Sequence, residues 1–255
     1  MTNMTDEVRN PFCFEKRDLP TGVSCPRSYQ VILMTSAGSM TVSGSPYRLS
    51  AGDLVLLTPS DICYAAEPCE TSPVVWQYTP EELMNDLSAF EEVVRAGGVY
   101  PAAGQSEDVR SLAARATAQA ENPGERTPLI ARMMLLELLL HLTESSPAPR
   151  GEGKVARAAA YLGENYALQV SLDTLCLAIG VSKFYLCRAF GRETGLTPHA
   201  YLNLVRVLAA ERLMEEGTGA MVCATLVGFR DYTTFFRSYK KVTGHAPSGV
   251  TGEEE

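Results

Sequence analysis

The C-terminal part of the chain contains one sequence pattern twice, at a constant offset of 49 residues. The first copy begins at Ser182 and reads SKFYLCRAFGRETGLTP, and the second begins at Asp231 and reads DYTTFFRSYKKVTGHAP. A self-match at a fixed period indicates two copies of one structural unit. The matched positions are Arg188 with Arg237, Phe190 with Tyr239, Arg192 with Lys241, Thr194 with Thr243, Gly195 with Gly244 and Pro198 with Pro247.

Each copy has the order of elements expected for a helix-turn-helix unit. A short apolar helix, SLDTLCLAIG or GAMVCATLVG, is followed by a turn at Gly180 or Gly228, and a small polar N-cap then begins a second helix. In such units the second helix lies in the major groove of DNA, and its N-terminal half meets the edges of the bases. The repeat therefore predicts two recognition helices in one chain.

Helical periodicity separates an inward face from an outward face on both predicted recognition helices. Arginine is the residue best suited to bind guanine through two hydrogen bonds, while lysine mainly contacts phosphate. The alternative is that both are amphipathic helices of an all-α bundle with solvated cations, but the shared register and the shared ending argue against it. The outward residues that we predict to contact DNA are Lys183, Phe184, Cys187 and Arg188 in the first copy, and Tyr232, Thr233, Phe236, Arg237 and Lys240 in the second.

The segment between the copies predicts a rigid spacer. A helix from Pro198 to Glu216 would be about 28 Å long at about 1.5 Å per residue. With the flanking helices added, the two recognition helices would lie near the pitch of B-DNA, about 34 Å. One chain could then contact two successive major-groove segments on one face of the duplex.

The formal charge of −8 over 255 residues is unevenly distributed. Residues 150–255 carry 12 basic and 11 acidic residues, whereas residues 1–149 carry 10 and 19. Any polyanion is therefore expected to bind the C-terminal part, because local charge decides such binding. No apolar run reaches the about 20 residues of a membrane span, and no signal peptide is evident, which predicts a cytoplasmic protein without membrane contact.

The N-terminal part reads as short β-strands followed by helices. Runs such as YQVILMT, DLVLLTP and VVWQYTP are broken by turn residues every 6 to 8 positions between residues 25 and 80, a spacing typical of an antiparallel sandwich or barrel. Helical patterns follow at 80–96, 106–120 and 128–144. The segment TESSPAPRGEG, from Thr143 to Gly153, reads as an interdomain linker.

The region from 154 to 250 resembles the DNA-binding domain of the AraC/XylS family of bacterial transcription regulators. The resemblance depends on SLDTLCLAIGVSKFYLCRAFGRETGLTPHAYLNLVRVLAAERLM and on VGFRDYTTFFRSYKKVTGHAP. It implies sequence-specific binding of double-stranded DNA by both units, with base contacts from the outward positions given above. It also implies an N-terminal domain that senses a signal and dimerises.

The segment SMTVSGSPYRLSAGDLVLLTPSDICYAAEP looks like the cupin-type jelly roll common in that family, with Gly52 and Asp53 at its characteristic turn. The region has no His-x-His motif, and an open first-row metal site needs imidazole or carboxylate ligands, so we predict a binding cup without metal or cofactor. Aromatic rings stack well on sugars and on aromatic acids. The predicted effector-binding residues are Tyr47, Tyr64, Trp76 and Tyr78; each could instead be an ordinary core residue.

The helix PLIARMMLLELLLHLTE is apolar around most of its circumference, more than one sheet can cover. We therefore predict that it pairs two subunits of a homodimer, the alternative being burial among its own neighbours. The predicted interface residues are Leu129, Met133, Leu136 and Leu140.

Together these patterns predict an α+β protein with two domains: a cupin-like β jelly roll with helices at 1–145, a linker at 146–153, and an all-α double helix-turn-helix domain at 154–250. The predicted function is that of a transcription activator, not an enzyme, which works with RNA polymerase under the control of a small organic effector. Control by a protein partner is the alternative, favoured by apolar Val222 and Leu226 on a helix face that is normally polar in the family. A cupin-type enzyme with an accessory helical domain is the third possibility.

Overall fold

The structure is a computed structural model that describes residues 12–26, 28–59, 61–79, 93, 97–102, 105–149 and 151–247. The chain divides into two compact units between residues 151 and 152. The helix predicted at 80–96 lies outside the described residues, apart from Val93.

The N-terminal unit contains two antiparallel sheets in the part that the structure describes. One sheet has five strands in the order β1-β8-β3-β6-β9, and the other has four in the order β2-β7-β4-β5. The strands are β1 (Cys13–Lys16), β2 (Gly22–Ser24), β3 (Tyr29–Leu33), β4 (Gly38–Val42), β5 (Ser45–Leu49), β6 (Leu54–Leu57), β7 (Cys63–Ala65), β8 (Val74–Tyr78) and β9 (Gly98–Tyr100).

The five-stranded sheet is covered on both faces, and the alternation of side chains along its strands decides which residue faces which layer. Ile32, Val55 and Val75 pack against the four-stranded sheet, in a cluster that also contains Met40 and Val42. Their neighbours along the same strands point the other way and pack against two helices. A strand buried on both faces must be apolar throughout, as β6 (LVLL) is.

The two helices of this layer are α1 (Glu107–Glu121) and α2 (Thr127–Leu142). Ser106 begins α1, because its side chain accepts a hydrogen bond from the backbone N–H of Val109. The indole N–H of Trp76 donates to the backbone oxygen of Ala131, at 3.2 Å, which ties the five-stranded sheet to α2.

The turn at Gly52 and Asp53 joins three segments of the N-terminal unit. Gly52 has a φ of +88°, in the left-handed region that glycine adopts without strain. The Asp53 carboxylate accepts hydrogen bonds from the backbone N–H of Ser50, at 2.8 Å, and from that of Ala102, at 2.7 Å. The turn predicted at these two residues is therefore held by one buried carboxylate.

Part of the predicted linker lies on the N-terminal unit. The backbone N–H of Ala148 donates to the oxygen of Val99 at 2.6 Å, and Ala148 packs against the core between the two sheets. The limits predicted for the two domains and the linker stay a prediction.

The C-terminal unit contains helices joined by short loops, and no strand, in the part that the structure describes. Four helices begin at an N-cap whose side chain accepts a hydrogen bond from the backbone N–H three residues later. These caps are Ser171, Ser182, Thr197 and Asp231. The helices are α3 (Lys154–Glu164), α4 (Leu172–Ile179), α5 (Lys183–Thr194), α6 (Pro198–Glu215), α7 (Ala220–Leu226) and α8 (Tyr232–Thr243).

In the described part of the chain, no single helix combines the length and the apolar character needed to cross a membrane. The pair α4 and α5 passes the same test of length and composition together, although it is bent by 89° at the turn between the helices.

Candidate nucleic-acid interface

The first repeat folds as two helices at nearly a right angle. Helices α4 and α5 are bent by 89° across the turn at Gly180, which lies at the lower limit of the angles typical of a helix-turn-helix. On α5, Leu186, Ala189 and Phe190 are buried, and Phe190 makes an edge contact with Tyr201 of α6 at 5.3 Å between ring centroids. This packing fixes which face of α5 points outward.

The four residues predicted to contact DNA in the first repeat are all exposed: Lys183, Phe184, Cys187 and Arg188. The Lys183 ammonium forms an ion pair with Asp173 of α4, at 2.6 Å. The hydrogen bond that the ammonium donates to the Asp173 carboxylate raises the pKa of Lys183. Any phosphate contact by Lys183 must therefore compete with the Asp173 carboxylate.

The second repeat places its outward residues in the same way. Phe235 and Tyr239 are buried beside Phe229, with ring centroids 5.4 to 5.5 Å apart along the cluster. Four of the five predicted residues are exposed, and the fifth, Phe236, is half-buried. The exposed ones are Tyr232, Thr233, Arg237 and Lys240.

Asp231 caps α8 with both carboxylate oxygens. It accepts the backbone N–H of Thr234 at 2.8 Å and the hydroxyl of the same residue at 2.9 Å. The backbone hydrogen bond is the main reason why the pKa of Asp231 lies below its ordinary value. The N-terminal turn of α8 is thus held in place next to Tyr232 and Thr233.

Both recognition helices end in the same arrangement of hydrogen bonds. The Thr194 hydroxyl donates to the backbone oxygen of Phe190 at 2.7 Å and accepts the N–H of Leu196 at 3.3 Å. The Thr243 hydroxyl donates to Tyr239 at 2.9 Å and accepts the N–H of His245 at 3.3 Å. Matching atoms make matching contacts, so the two copies share local structure as well as sequence.

The sequence patterns did not single out Tyr185 or Arg230, both of which are exposed beside the predicted contacts. Tyr185 is the third residue of α5, and Arg230 precedes the cap of α8. Asp173, the ion-pair partner of Lys183, was also missed, because it lies on the other helix of the unit. Only proximity in sequence to the predicted contacts could have indicated the first two.

The four aromatic residues predicted to line a cup do not come together. Trp76 and Tyr78 of β8 face the helix layer and are almost completely buried there, because alternation along the strand turns both away from the space between the sheets. Tyr47 packs against the core between the sheets, paired with Met40. Tyr64 pairs with Thr41, one position further along β4, so it lies on the opposite face of that sheet from Tyr47.

The predicted interface residues form an apolar stripe on α2. Leu129 and Met133 are each 63% exposed, and Leu140 is 59% exposed. Leu136 is half-buried against the core of the N-terminal unit. We call these four residues the α2 seam.

Among the described residues, no cluster of three or more His, Cys, Asp or Glu side chains could hold a metal ion.

Comparison with known proteins agrees with the geometry of the C-terminal unit. The profile of a family described as "Helix-turn-helix domain" matches residues 175–252. The chain is 28% identical over 228 residues to YisR of Bacillus subtilis, an uncharacterized HTH-type transcriptional regulator, covering 82% of this chain and 79% of that protein. It is 25% identical over 238 residues to the HTH-type transcriptional activator RhaS of Citrobacter koseri, covering 86% and 83%.

Among solved structures, apo ToxT of Vibrio cholerae aligns over 94% of this chain and 96% of its own, at 12% identity and a TM-score of 0.41. The family profile, the two regulators and the long repeat motif all point to one group of proteins. The chain carries an AraC-type helix-turn-helix domain and is similar over most of its length to HTH-type transcriptional regulators.

Proposed function

We propose that the chain is a homodimeric transcription activator in which each subunit reads two successive major-groove segments, one with α5 and one with α8. The observation that carries the proposal is the pair of matched recognition helices within one compact unit, each with its cations exposed. The base-reading residues proposed are Lys183, Phe184, Cys187 and Arg188, with Tyr232, Thr233, Phe236, Arg237 and Lys240. RhaS, to which the chain is similar, is a transcriptional activator by name, which supports activation over repression.

The connecting helix supports reading from one face of the duplex. Helix α6 has 18 residues and is therefore about 27 Å long at about 1.5 Å per residue. Successive major-groove segments on one face are about 34 Å apart, and the flanking helices of the two units supply the remaining distance.

The proposal is tested by selecting duplexes from a random library with the full chain and measuring affinity by gel shift. We expect a consensus with two conserved blocks about one helical turn apart. The double variant Arg188→Ala/Arg237→Ala should lose preference for the consensus, while Arg212→Ala, an exposed change on α6, should keep it. Failure to enrich any sequence at low salt would refute the proposal.

Dimerisation is proposed through the α2 seam. Its residues are spaced by four, three and four positions, the alternation of apolar positions that lets two helices pack along a common seam. Three of its four side chains are largely exposed to water in one subunit. Packing against a second copy of the chain would bury this apolar surface.

A small organic effector, a sugar or an aromatic acid, is the signal that we propose for the N-terminal unit. Tyr47 is the predicted aromatic residue that borders the space between the two sheets and is only half-buried there. A ring at such a position offers both a stacking face and a hydroxyl. The proposal therefore centres the effector site on Tyr47.

A protein partner is the second candidate signal, and one observation favours it. On α7, Met221 is 70% exposed, Val222 56% and Leu226 54%. We propose RNA polymerase as the partner of this apolar face. In transcription with purified polymerase, Leu226→Ser should reduce activation and leave DNA affinity unchanged. Full activation by this variant would show that this face of α7 does not contact the polymerase.

A further inference from the structure

We propose that the loop between α3 and α4 is a brace that fixes the orientation of the second helix-turn-helix relative to the first. The brace consists of residues 165–170 and its contacts with α6 and with the turn between α7 and α8. Arg206 and Gln169 are its positioning residues. The inference rests on the proposed function, since orientation matters only if both units read one duplex.

Arg206 attaches the loop to the connecting helix. Its side chain lies on α6 and is only 7% exposed. Its Nε donates to the backbone oxygen of Tyr166, and its Nη2 to that of Leu168, both at 2.8 Å. Burial is the main cause that lowers the pKa of the guanidinium, with the charge of Arg230 adding to it. The planar fork of arginine suits two acceptors at once, which a lysine could not satisfy in the same way.

Gln169 attaches the same loop to the second unit. Its Nε2 donates to the backbone oxygen of Gly228 at 2.9 Å, and its Oε1 accepts from the Nε of Arg230 at 2.8 Å. One amide thus holds both ends of the turn that separates α7 from α8. The donor and the acceptor of the amide are each used, so its orientation is determined by its partners.

Gly228 brings the two backbones into direct contact. Its φ is +91°, and a Cβ added there would lie 2.5 Å from the backbone oxygen of Ala167 and 2.9 Å from that of Tyr166. The Arg206 guanidinium also lies 5.5 Å from the ring centre of Phe229, within cation–π range. The turn of the second unit therefore packs on the loop with no space between them.

The position of the loop gives these contacts a consequence for DNA binding. The loop ends at Ser171, the cap of α4, and so it leads directly into the first helix-turn-helix. A contact between this loop and the turn at 228–230 joins the start of one unit to the centre of the other. Helix α6 joins the two units, and the second unit packs on it through Val207 and Ala210. The brace adds a second connection, which restricts how far the second unit can tilt or rotate relative to the first, as reading two grooves on one face requires.

The test measures how strictly the full chain recognises the spacing between the two blocks of its selected duplex. Three probes are used: the selected duplex, the same duplex with one base pair inserted between the blocks, and a duplex that keeps only the first block. Gln169→Ala removes the tie to the second unit at an exposed position, and Glu164→Ala is the matched exposed control on α3. Melting temperature is measured for each variant.

For the wild type and for Glu164→Ala, we expect the inserted base pair to weaken binding by at least about tenfold, as when a base contact is lost. For Gln169→Ala, we expect weaker binding to the selected duplex but a penalty for the insertion of about threefold or less, with binding to the single block unchanged. Arg206→Lys, which keeps the charge without the fork, should behave as Gln169→Ala does.

Two results would overturn the brace. The first is a Gln169→Ala chain that keeps both the affinity and the insertion penalty of the wild type. The second is equal weakening on all three duplexes with a lower melting temperature, which would show a role in stability alone. A wild-type chain that binds no duplex specifically would instead refute the proposed function together with the brace.

Discussion

Arg188 and Arg237 occupy equivalent positions on two helices, with their side chains exposed. We expect Arg188→Ala to cost about 1–3 kcal/mol on the selected duplex and to relax the preference at one base position, because a bidentate contact with guanine is lost. Affinities for a panel of duplexes with single base changes measure both effects. Arg192→Ala, a change further along α5 at an exposed arginine, is the control.

A different pattern would reassign these residues. If Arg188→Ala weakens binding to every sequence equally and lowers the slope of log affinity against log salt by about one, the side chain contacts phosphate. The same measurement on Arg237→Ala shows independently whether the arginine of α8 contacts a base or a phosphate.

Substituting the glycines at the two turns tells the cost of backbone strain apart from the cost of steric contact. Gly180 and Gly228 both have positive φ, +72° and +91°, but a Cβ on Gly180 would meet nothing within 4 Å. Gly180→Ala should therefore lower the free energy of unfolding by about 1–3 kcal/mol, the cost of a non-glycine residue in this region. Gly228→Ala should cost more, because the backbone of Ala167 must also move.

Urea unfolding of both variants, monitored by circular dichroism, measures the difference. Equal losses of stability at the two glycines would contradict the close contact between the turn and the loop.

At the scale of elements, the α2 seam makes a separate prediction. Met133→Glu combined with Leu140→Glu places two charges on its exposed part, and burying an uncompensated charge opposes association. We expect the full chain to change from dimer to monomer in sedimentation. We leave Leu136 unchanged, because it also packs on the core of its own unit.

The control for the seam is Arg132→Glu, which reverses a charge on an exposed position of the same helix outside the four seam residues. A double variant that keeps its helical signal and remains a dimer would move the interface elsewhere.

Elements with local signals could be predicted from the sequence, and contacts between distant segments could not. Ser171, Ser182 and Asp231 begin helices at the predicted positions, because an N-cap acts within its own first turn. The antiparallel sheets were also predicted from alternation and turns, although the jelly-roll topology stays a prediction. Strands β2 and β9, of three residues each, are too short for alternation to reveal them.

The predicted site was limited by the same distinction. The outward face of α5 follows from helical period alone, so four of its exposed residues could be named in advance, although Tyr185 was missed. Every residue of β8 is buried, so the sequence of this strand does not indicate whether Trp76 faces the helices or the second sheet. Gln169 gave no signal at all, since its partners lie 59 and 61 residues away.

At the scale of the whole molecule, we expect the effector to change DNA affinity through a coupling of about 1–3 kcal/mol, the usual range for linked sites. A thermal-shift screen of the full chain against sugars and aromatic acids should give a compound that stabilises the protein by about 2.7 kcal/mol when present at about 100 times its Kd. The same compound should alter the gel-shift affinity, and Tyr47→Ala should abolish both responses.

Tyr78→Phe is the control for this prediction, because Tyr78 is buried against the helix layer, away from the space between the sheets. A complete screen without a stabilising compound would favour the apolar face of α7 as the point of control.

The contacts of the brace differ in how much of the chain must be synthesised before they can form. Its hydrogen bonds join residues 40, 59 and 61 positions apart, whereas each recognition helix is capped from within its own turn. During synthesis the first helix-turn-helix and the tie from Arg206 can form while Gly228 and Arg230 are still inside the ribosome. Contacts between distant segments close late because they carry the larger loss of chain entropy. A chain that ends before residue 228 contains both partners of the Arg206 tie but neither partner of Gln169. We therefore expect the second reading unit to acquire its orientation only after the first helix-turn-helix and the connecting helix are in place.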